Sequence, residues 1–233
     1  MNDVSIYDTL LQLAQKRRTI RRFRSDPVPV DYIRKIVDVA RYAPSGFHTQ
    51  PWEFVVVTEK DLREKIVSIL EQYGPVIGNS HEENPEADDS QGRFNVAPVL
   101  IILVGDWRAR VGLPDAVQSS DAVVDRLLNT SLACAFLSMQ LAATTLGLAS
   151  QWYSAISGRR AQTAVKALIG VPEALRIFDM LVLGYAADEP VRKEVRELGD
   201  VIHYNACGAQ DFRTDEEVVT YAKKTKAWCL AGH

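Results

Sequence analysis

Apolar positions along the chain switch repeatedly between helical and strand-like spacing. Leu10, Leu11, Leu13 and Ala14 predict a short amphipathic helix. Ile33, Ile36, Val37 and Ala40 predict a second, opened by Pro29 and Asp31 and stopped by Pro44. Residues 53–58 read as a strand, and residues 61–71 as a helix with Leu62, Ile66, Ile69 and Leu70 inward, ended by Gly74-Pro75. Residues 97–104 are continuously apolar yet too short to cross a membrane, which predicts a central strand covered on both faces and ended by Gly105-Asp106. A long helix is expected over residues 116–146 with Gly147 terminating it, followed by a strand at 149–154, a helix at 159–169 and an apolar strand at 177–183. A charged arm at 188–199 and a terminal helix at 215–226 complete the chain. Strands and helices in alternation, with one helix of unusual length, predict a three-layer α+β sandwich. With no internal repeat or linker, residues 1–233 read as a single domain.

Two segments depart from this regularity. Residues 78–92 include His81-Glu82-Glu83-Asn84-Pro85-Glu86, a composition that cannot support a packed core, and are read as a mobile loop or lid. Between Arg126 and Arg159 there is no Asp, Glu, Lys or Arg, a stretch long enough to span a bilayer. Asn129, Thr130, Ser131, Ser138, Gln140, Thr144 and Thr145 are spread through it, so a helix buried on all sides within protein is expected instead. A protomer of this size rarely encloses a helix so fully, which points to a subunit interface and a homodimer.

Composition excludes several classes. Hydrophobic residues make up 47% and charged residues 24%, ordinary values for a soluble globular protein. The balance of 27 basic against 30 acidic residues leaves no global field to hold nucleic acid or an anionic membrane. Cys134, Cys207 and Cys229 are odd in number and lack metal-site spacing, so a reducing, cytoplasmic setting is expected, with no disulfide framework or metal site. Met1-Asn2-Asp3-Val4-Ser5 puts no basic region before an apolar run, so no secretory signal is expected. Gly-x-Gly-x-x-Gly, Gly-x-x-x-x-Gly-Lys and Gly-x-Ser-x-Gly are all absent, and no second His follows His81 at helical spacing.

Candidate chemistry is concentrated near the start. Arg17-Arg18-Thr19-Ile20-Arg21-Arg22-Phe23 groups four arginines around a hydroxyl. Read alone, this is either a solvated basic helix end or a phosphate clamp, since each charge-assisted hydrogen bond to a phosphate contributes roughly 1.5–3 kcal/mol. A nucleic-acid surface ranks below both, because the cluster lacks interleaved aromatics and sits in an acidic chain. Pro44-Ser45-Gly46-Phe47-His48-Thr49-Gln50-Pro51-Trp52 places more donors and acceptors in a helix-to-strand connection than a turn requires. An anion site followed by a polar, loop-borne site suggests a nucleotide-like cofactor.

Together these segments resemble the flavin-binding signature of the nitroreductase family of FMN-dependent oxidoreductases. The likeness extends from Arg17 to about Tyr204, taking in residues 97–104 as the family's central strand, 129–148 as its long dimer-core helix and Leu183-Gly184-Tyr185 as the strand end before its C-terminal arm (188–233 here). It implies a nitroreductase-like α-β-α fold with the long helix at a dimer interface, bound FMN, and NAD(P)H as a transient reductant in a ping-pong cycle. It also assigns roles: Arg17, Arg18, Thr19 and Arg21 to the FMN phosphate and ribityl chain, with Arg196 closing on the phosphate unless Arg192 or Lys193 does so. Pro44, Ser45 and His48 line the isoalloxazine, Arg93 faces flavin N1/O2 or is a surface charge, and Ser154-Ala155 presents a donor to N5.

His48 stands where the family commonly has Asn, and in that respect the loop resembles the iodotyrosine deiodinase branch. A hydroxyl at Ser154 is associated there with one-electron chemistry, so reductive dehalogenation of an aromatic is an alternative. That branch clamps its substrate with a Glu, a Tyr and a Lys of the lid, whereas residues 74–96 contain neither Tyr nor Lys. A flavin-binding protein without turnover is the alternative of another class. No side chain is singled out as a catalytic acid or base.

Overall fold

The structure is a computed structural model and describes residues 5–73, 97–190 and 194–230, without the side chains of 228–230. The expected lid at 78–92, the helix stop at Gly74-Pro75, and Arg93, Arg192 and Lys193 lie outside the described residues.

The frame is an antiparallel five-stranded sheet. β1 (Phe23–Arg24), β2 (Trp52–Val57), β3 (Val99–Asp106), β4 (Ala149–Tyr153) and β5 (Leu175–Ala186) are its strands. β5 lies against β3 on one side, and β3 carries β2 as the outer strand. On its other side β5 pairs with both β4, through Ala149↔Gly184 to Tyr153↔Met180, and β1, through Phe23↔Ala186. The two-residue β1 is too short for periodicity to reveal. Seven of the eight β3 residues are buried, in agreement with the continuous apolar run that predicted a doubly covered strand.

Helices cover both faces. α2 (Val30–Ala40) and α5 (Asp121–Thr145) lie on one, where Ile33, Ile36 and Ala40 meet Leu132, Phe136 and Met139. α3 (Lys60–Tyr73) and α6 (Arg159–Ile169) lie on the other, packing Ile66, Leu70, Ala161 and Val165 against Leu100, Ile102 and Val182. Gly170, at φ +73°, ends α6 in the left-handed conformation that glycine adopts without a Cβ penalty. α1 (Ile6–Lys16), capped by Ser5 Oγ accepting from the Asp8 N–H, and α7 (Asp215–Leu230) flank the sandwich in sequence.

The long helix differs from expectation where it begins. Residues 116–146 do not form one helix: a single turn, α4 (Asp115–Gln118), precedes α5, and Ser120 between them is extended at φ −122°, ψ 105°. Serine competes for local backbone groups there, with Ser119 Oγ donating to Ala116 O, and Asp121 restarts the helix with a negative charge in its first turn. As expected of a helix that one protomer of this size cannot enclose, α5 is not buried on all sides within the protomer. It is long and apolar enough to cross a membrane, but half of its most apolar window is buried against the sheet. Arg126, Thr130 and Leu137 line an exposed stripe on the opposite side, with Ala133 half-buried between them and Leu141 half-buried beyond.

Phe136 sits at the centre of the α5 contact, fully buried and stacked on Trp152 at 4.0 Å between centroids. Phe136→Ala is expected to cost about 3–5 kcal/mol. A lowered urea midpoint measures it, and an unchanged midpoint would place the core elsewhere.

Candidate functional site

Arg17 is the C-cap of α1, its N–H donating to Leu13 O. From there the chain runs along β4: Thr19 bridges Ser150 in parallel, and the Ile20 N–H donates to Ser150 O at 3.0 Å. Three of the four arginines then separate in role. Arg18 donates to the carbonyls of Gln15 and Arg17, satisfying groups that the end of α1 leaves open. Arg22 pairs with Asp188 at 3.3 Å, an exposed contact of little energetic weight. Among the described residues the half-buried Arg17 guanidinium makes no hydrogen bond or ion pair. In β4, next to Ser150, Gln151 buries an acceptor, Oε1, that has no partner among the described residues. A partnerless buried acceptor costs on the order of 1–3 kcal/mol unless a donor arrives.

The second segment is built differently. Ser45 leads into the short turn Gly46–His48, and Phe47, His48 and Gln50 all have positive φ, at 51°, 56° and 44°. Left-handed residues other than glycine cost of order 1–3 kcal/mol each and need contacts that hold them. Those contacts are present. Ser45 Oγ accepts from Gln50 N at 3.1 Å, and Gly46 N donates to Ser131 Oγ of α5 at 3.1 Å. The Gly46 backbone presses so close that an added Cβ would lie 2.3 Å from Leu127 Cδ2. Gln50 Nε2 lies 3.0 Å from His48 Nε2; with the amide as donor, the imidazole carries its proton on Nδ1. Pro44, Phe47, His48 and Gln50 are exposed, leaving a rim of mixed apolar and polar groups on a stiff loop.

A third group lies at the end of β4. Ser154 is exposed, and its Oγ reaches inward to Asp179 Oδ2 at 3.3 Å; Trp152 Nε1 donates to the same oxygen at 2.5 Å. Asp179 is 7% exposed. Burial pushes its carboxyl up to about 6, against the two hydrogen bonds that pull it down. Ala155 begins the turn Ala155–Ser157, whose Ser157 Oγ donates to Ser154 O at 2.7 Å.

Within the protomer, then, the expected residues fall into separate groups. Thr19 is tied to β4, the 44–50 loop to the first half of α5, and Ser154-Ala155 to the far end of β4. Arg196 lies on the C-terminal segment, where its Nη2 donates to Asp200 O at 2.5 Å. A groove of about 550 Å³ between α2 and β2, lined by Ile33, Val37, Arg41, Phe54 and Val56, contains none of them. Asp179, Trp152 and Gln151 were missed. The signal for Asp179 was in view: it is the one charged residue inside the apolar run 177–183.

An antiparallel α+β sandwich with its polar groups gathered around β4 and the 44–50 loop defines a fold class that known proteins share. A sequence model of the Nitroreductase family matches residues 14–185, and the chain belongs to that family. It is 47% identical over 58 residues to the iodotyrosine deiodinase of Nematostella vectensis, a stretch covering 25% of this chain and 22% of that protein. The chain thus spans about a fifth of the length of that curated relative. It is 26% identical over 186 residues to a putative NADH dehydrogenase/NAD(P)H nitroreductase of Methanothermobacter thermautotrophicus, covering 80% of this chain and 82% of the other. A crystal structure of oxidized iodotyrosine deiodinase bound to FMN and 3-iodo-L-tyrosine superposes with a TM-score of 0.67 at 26% identity, over 85% of this chain and 100% of that one. The fold is therefore the nitroreductase fold.

The Asp179 carboxyl has a consequence for stability. Its value of about 6 lies above the ordinary 3.8, so the folded state prefers the neutral acid and loses stability as pH rises through that window. By linkage the loss is about 3 kcal/mol from this group alone. Asp179→Asn keeps an acceptor for Trp152 and removes the charge, so at pH 8 the variant should unfold at higher urea than the wild type. At pH 4 the difference should vanish; a deficit at both pH values would show that the ionised carboxylate is the stabilising form.

Proposed function

We propose that the chain is an FMN-dependent oxidoreductase that takes reducing equivalents from NAD(P)H and passes them, in a ping-pong cycle, to an electron-poor acceptor such as a nitroaromatic or quinone. The observation that carries this reading is the edge of β4. There a half-buried guanidinium at Arg17 and a buried Gln151 Oε1, neither with a partner among the described residues, occur with the Thr19 hydroxyl on adjoining segments. That donor and acceptor set fits a phosphate followed by a hydroxylated chain. Bound flavin supplies the redox chemistry.

The chain's own part is binding and orientation. Arg17, Thr19 and Arg21 anchor the phosphate, with Arg196 closing on it. The rigid 44–50 loop offers Pro44, Ser45 and His48 to the ring, and Ser154-Ala155 meets it from the end of β4. A stiff loop suits this role because its cost in strain is met in the folded protein, before any ligand binds. A second reading, reductive dehalogenation of an aromatic, is favoured by the deiodinase likeness and the Ser154 hydroxyl. Halotyrosine is not proposed as its substrate, since residues 74–96 lack Tyr and Lys.

The working form proposed is a cytoplasmic homodimer. Leu137 on α5, Ile6 and Leu10 on α1, and Val195, Leu198, Tyr204 and Phe212 in the C-terminal segment are all exposed in the protomer. Apolar surface distributed over both terminal segments and the α5 stripe suits a second copy of the chain.

The protein purified without added cofactor is expected to show a flavin band that NADH or NADPH bleaches anaerobically. A band that neither reductant bleaches would favour a non-catalytic flavin binder, and no band even after incubation with FMN would overturn the reading. Arg17→Ala should weaken FMN binding roughly ten- to a hundredfold, measured by fluorescence titration. Leu137→Asp, at a position exposed in the protomer, should shift gel filtration from dimer to monomer, and an unshifted dimer would move the interface off α5.

A further inference from the structure

The group formed by Trp152, Asp179 and Ser154 has no place in binding a phosphate or a ribityl chain. A carboxylate this deeply buried normally has a cationic partner. Here the two partners are an indole N–H and a hydroxyl, both neutral. The arrangement is produced by a bulge. Along the β3–β5 ladder Leu103 pairs with Asp179 and Val104 with Ile177, leaving Phe178 as the extra residue. The extra residue turns Phe178 and Asp179 toward the same face, where Phe178 packs with Trp152 and Phe136. Asp179 thereby comes under Trp152 and opposite Ser154.

Ser154 is where this buried acid meets the outside. Its side chain is exposed, and its carbonyl is held by the Ser157 N–H and hydroxyl. With its oxygen on Asp179, the hydroxyl can still rotate about the Cβ–Oγ bond. An ionised carboxylate only accepts, so it draws the Ser154 proton inward and leaves Ser154 Oγ able only to accept from whatever lies in front. A protonated Asp179, having taken its proton from solvent, can donate to Ser154 Oγ, and the serine proton is then free to point outward.

We propose that Asp179 is a positioning residue that decides, through the Ser154 hydroxyl, whether the end of β4 offers a hydrogen-bond donor or an acceptor to the flavin ring. The proposal rests on the FMN reading above and adds to it a control on the ring's hydrogen bonding.

The titration that operates this switch falls near 6, because burial dominates and no cation among the described residues opposes it. Among the described residues the facing elements carry few charges, and most of those are engaged elsewhere. On β3, Asp106 pairs with Arg108. On α5, Asp125 binds Trp107 and Arg176 of β5, Asp121 pairs with Arg110, Arg126 is exposed and Cys134 is half-buried. Tyr153 of β4 packs on the opposite face of the sheet, and Lys166 of α6 donates to the Glu173 and Leu175 carbonyls. Tyr185 of β5 lies under Arg24, and the Ala155–Ser157 turn has no titratable group.

Two readouts on the same proteins test this. The first is the indole 15N–1H signal of Trp152 in flavin-free protein, assigned with Trp152→Phe. The second is the visible absorption maximum of the FMN-loaded protein, both from pH 5 to pH 8. In the wild type both should titrate with a midpoint near 6. Asp179→Asn should abolish both, and Ser154→Ala should abolish the flavin response while the indole still titrates. A flavin maximum that ignores pH, or responds equally in Ser154→Ala, overturns the proposal while the FMN reading stands. Failure to take up FMN overturns that reading and this proposal with it. If Asp179→Asn does not fold, Ser154→Ala carries the decision, since its side chain is exposed.

Discussion

The pairing of β5 with three other strands is the constraint on which the rest of the structure depends. At 12 residues it is long enough to hold β3 along one side and both β4 and β1 along the other. Each ladder is a row of backbone hydrogen bonds that cannot slip by one residue without turning every side chain to the wrong face. Fixing β4 in this way fixes Ser150, and through it the segment that brings Thr19 across. The same ladder fixes Ser154 opposite Asp179. Two of the three polar groups thus owe their positions to a strand whose buried side chains are mostly those of an ordinary core.

α5 plays the complementary part on one face. Its inward side completes the core through Leu132, Phe136 and Met139, and its first half holds the 44–50 loop through Ser131 and Leu127. Strain and packing meet at that contact. Three positive-φ residues persist because Gly46 allows the backbone to rest directly on a leucine side chain, and the hydroxyl of Ser131 orders the turn. The outward side of α5 is the one with exposed leucine, so the helix that organises the protomer also presents the surface proposed above for a second copy.

Polar burial is unequal across the site, and the inequality is informative. Lys166 is buried but donates to two carbonyls, and so is structurally satisfied. Among the described residues Gln151 Oε1 has no such partner, and Asp179 has only neutral ones. Natural cores contain few such groups, because each costs stability unless a ligand or a proton completes it. Both lie on β4 or directly against it, beside segments whose sequence already indicated cofactor chemistry.

Periodicity alone determined most of the layers. The helix at 159–169 matches residue for residue, and the strands at 53–58 and 97–104 fall within two residues of β2 and β3, the latter because a strand covered on both faces must be apolar throughout. The family, too, was legible, since the arginine cluster and the 44–52 loop are contiguous in sequence and need no fold to be recognised. Local pattern did not resolve the break at Ser119-Ser120, where hydroxyls competing for backbone groups outweigh helix propensity. Only the tertiary structure separated Arg18, engaged with the end of α1, from Arg17, or showed that Asp179 lies under Trp152. Those facts depend on register, on a bulge and on which side chain reaches which carbonyl, and these are set by contacts between residues far apart in the chain.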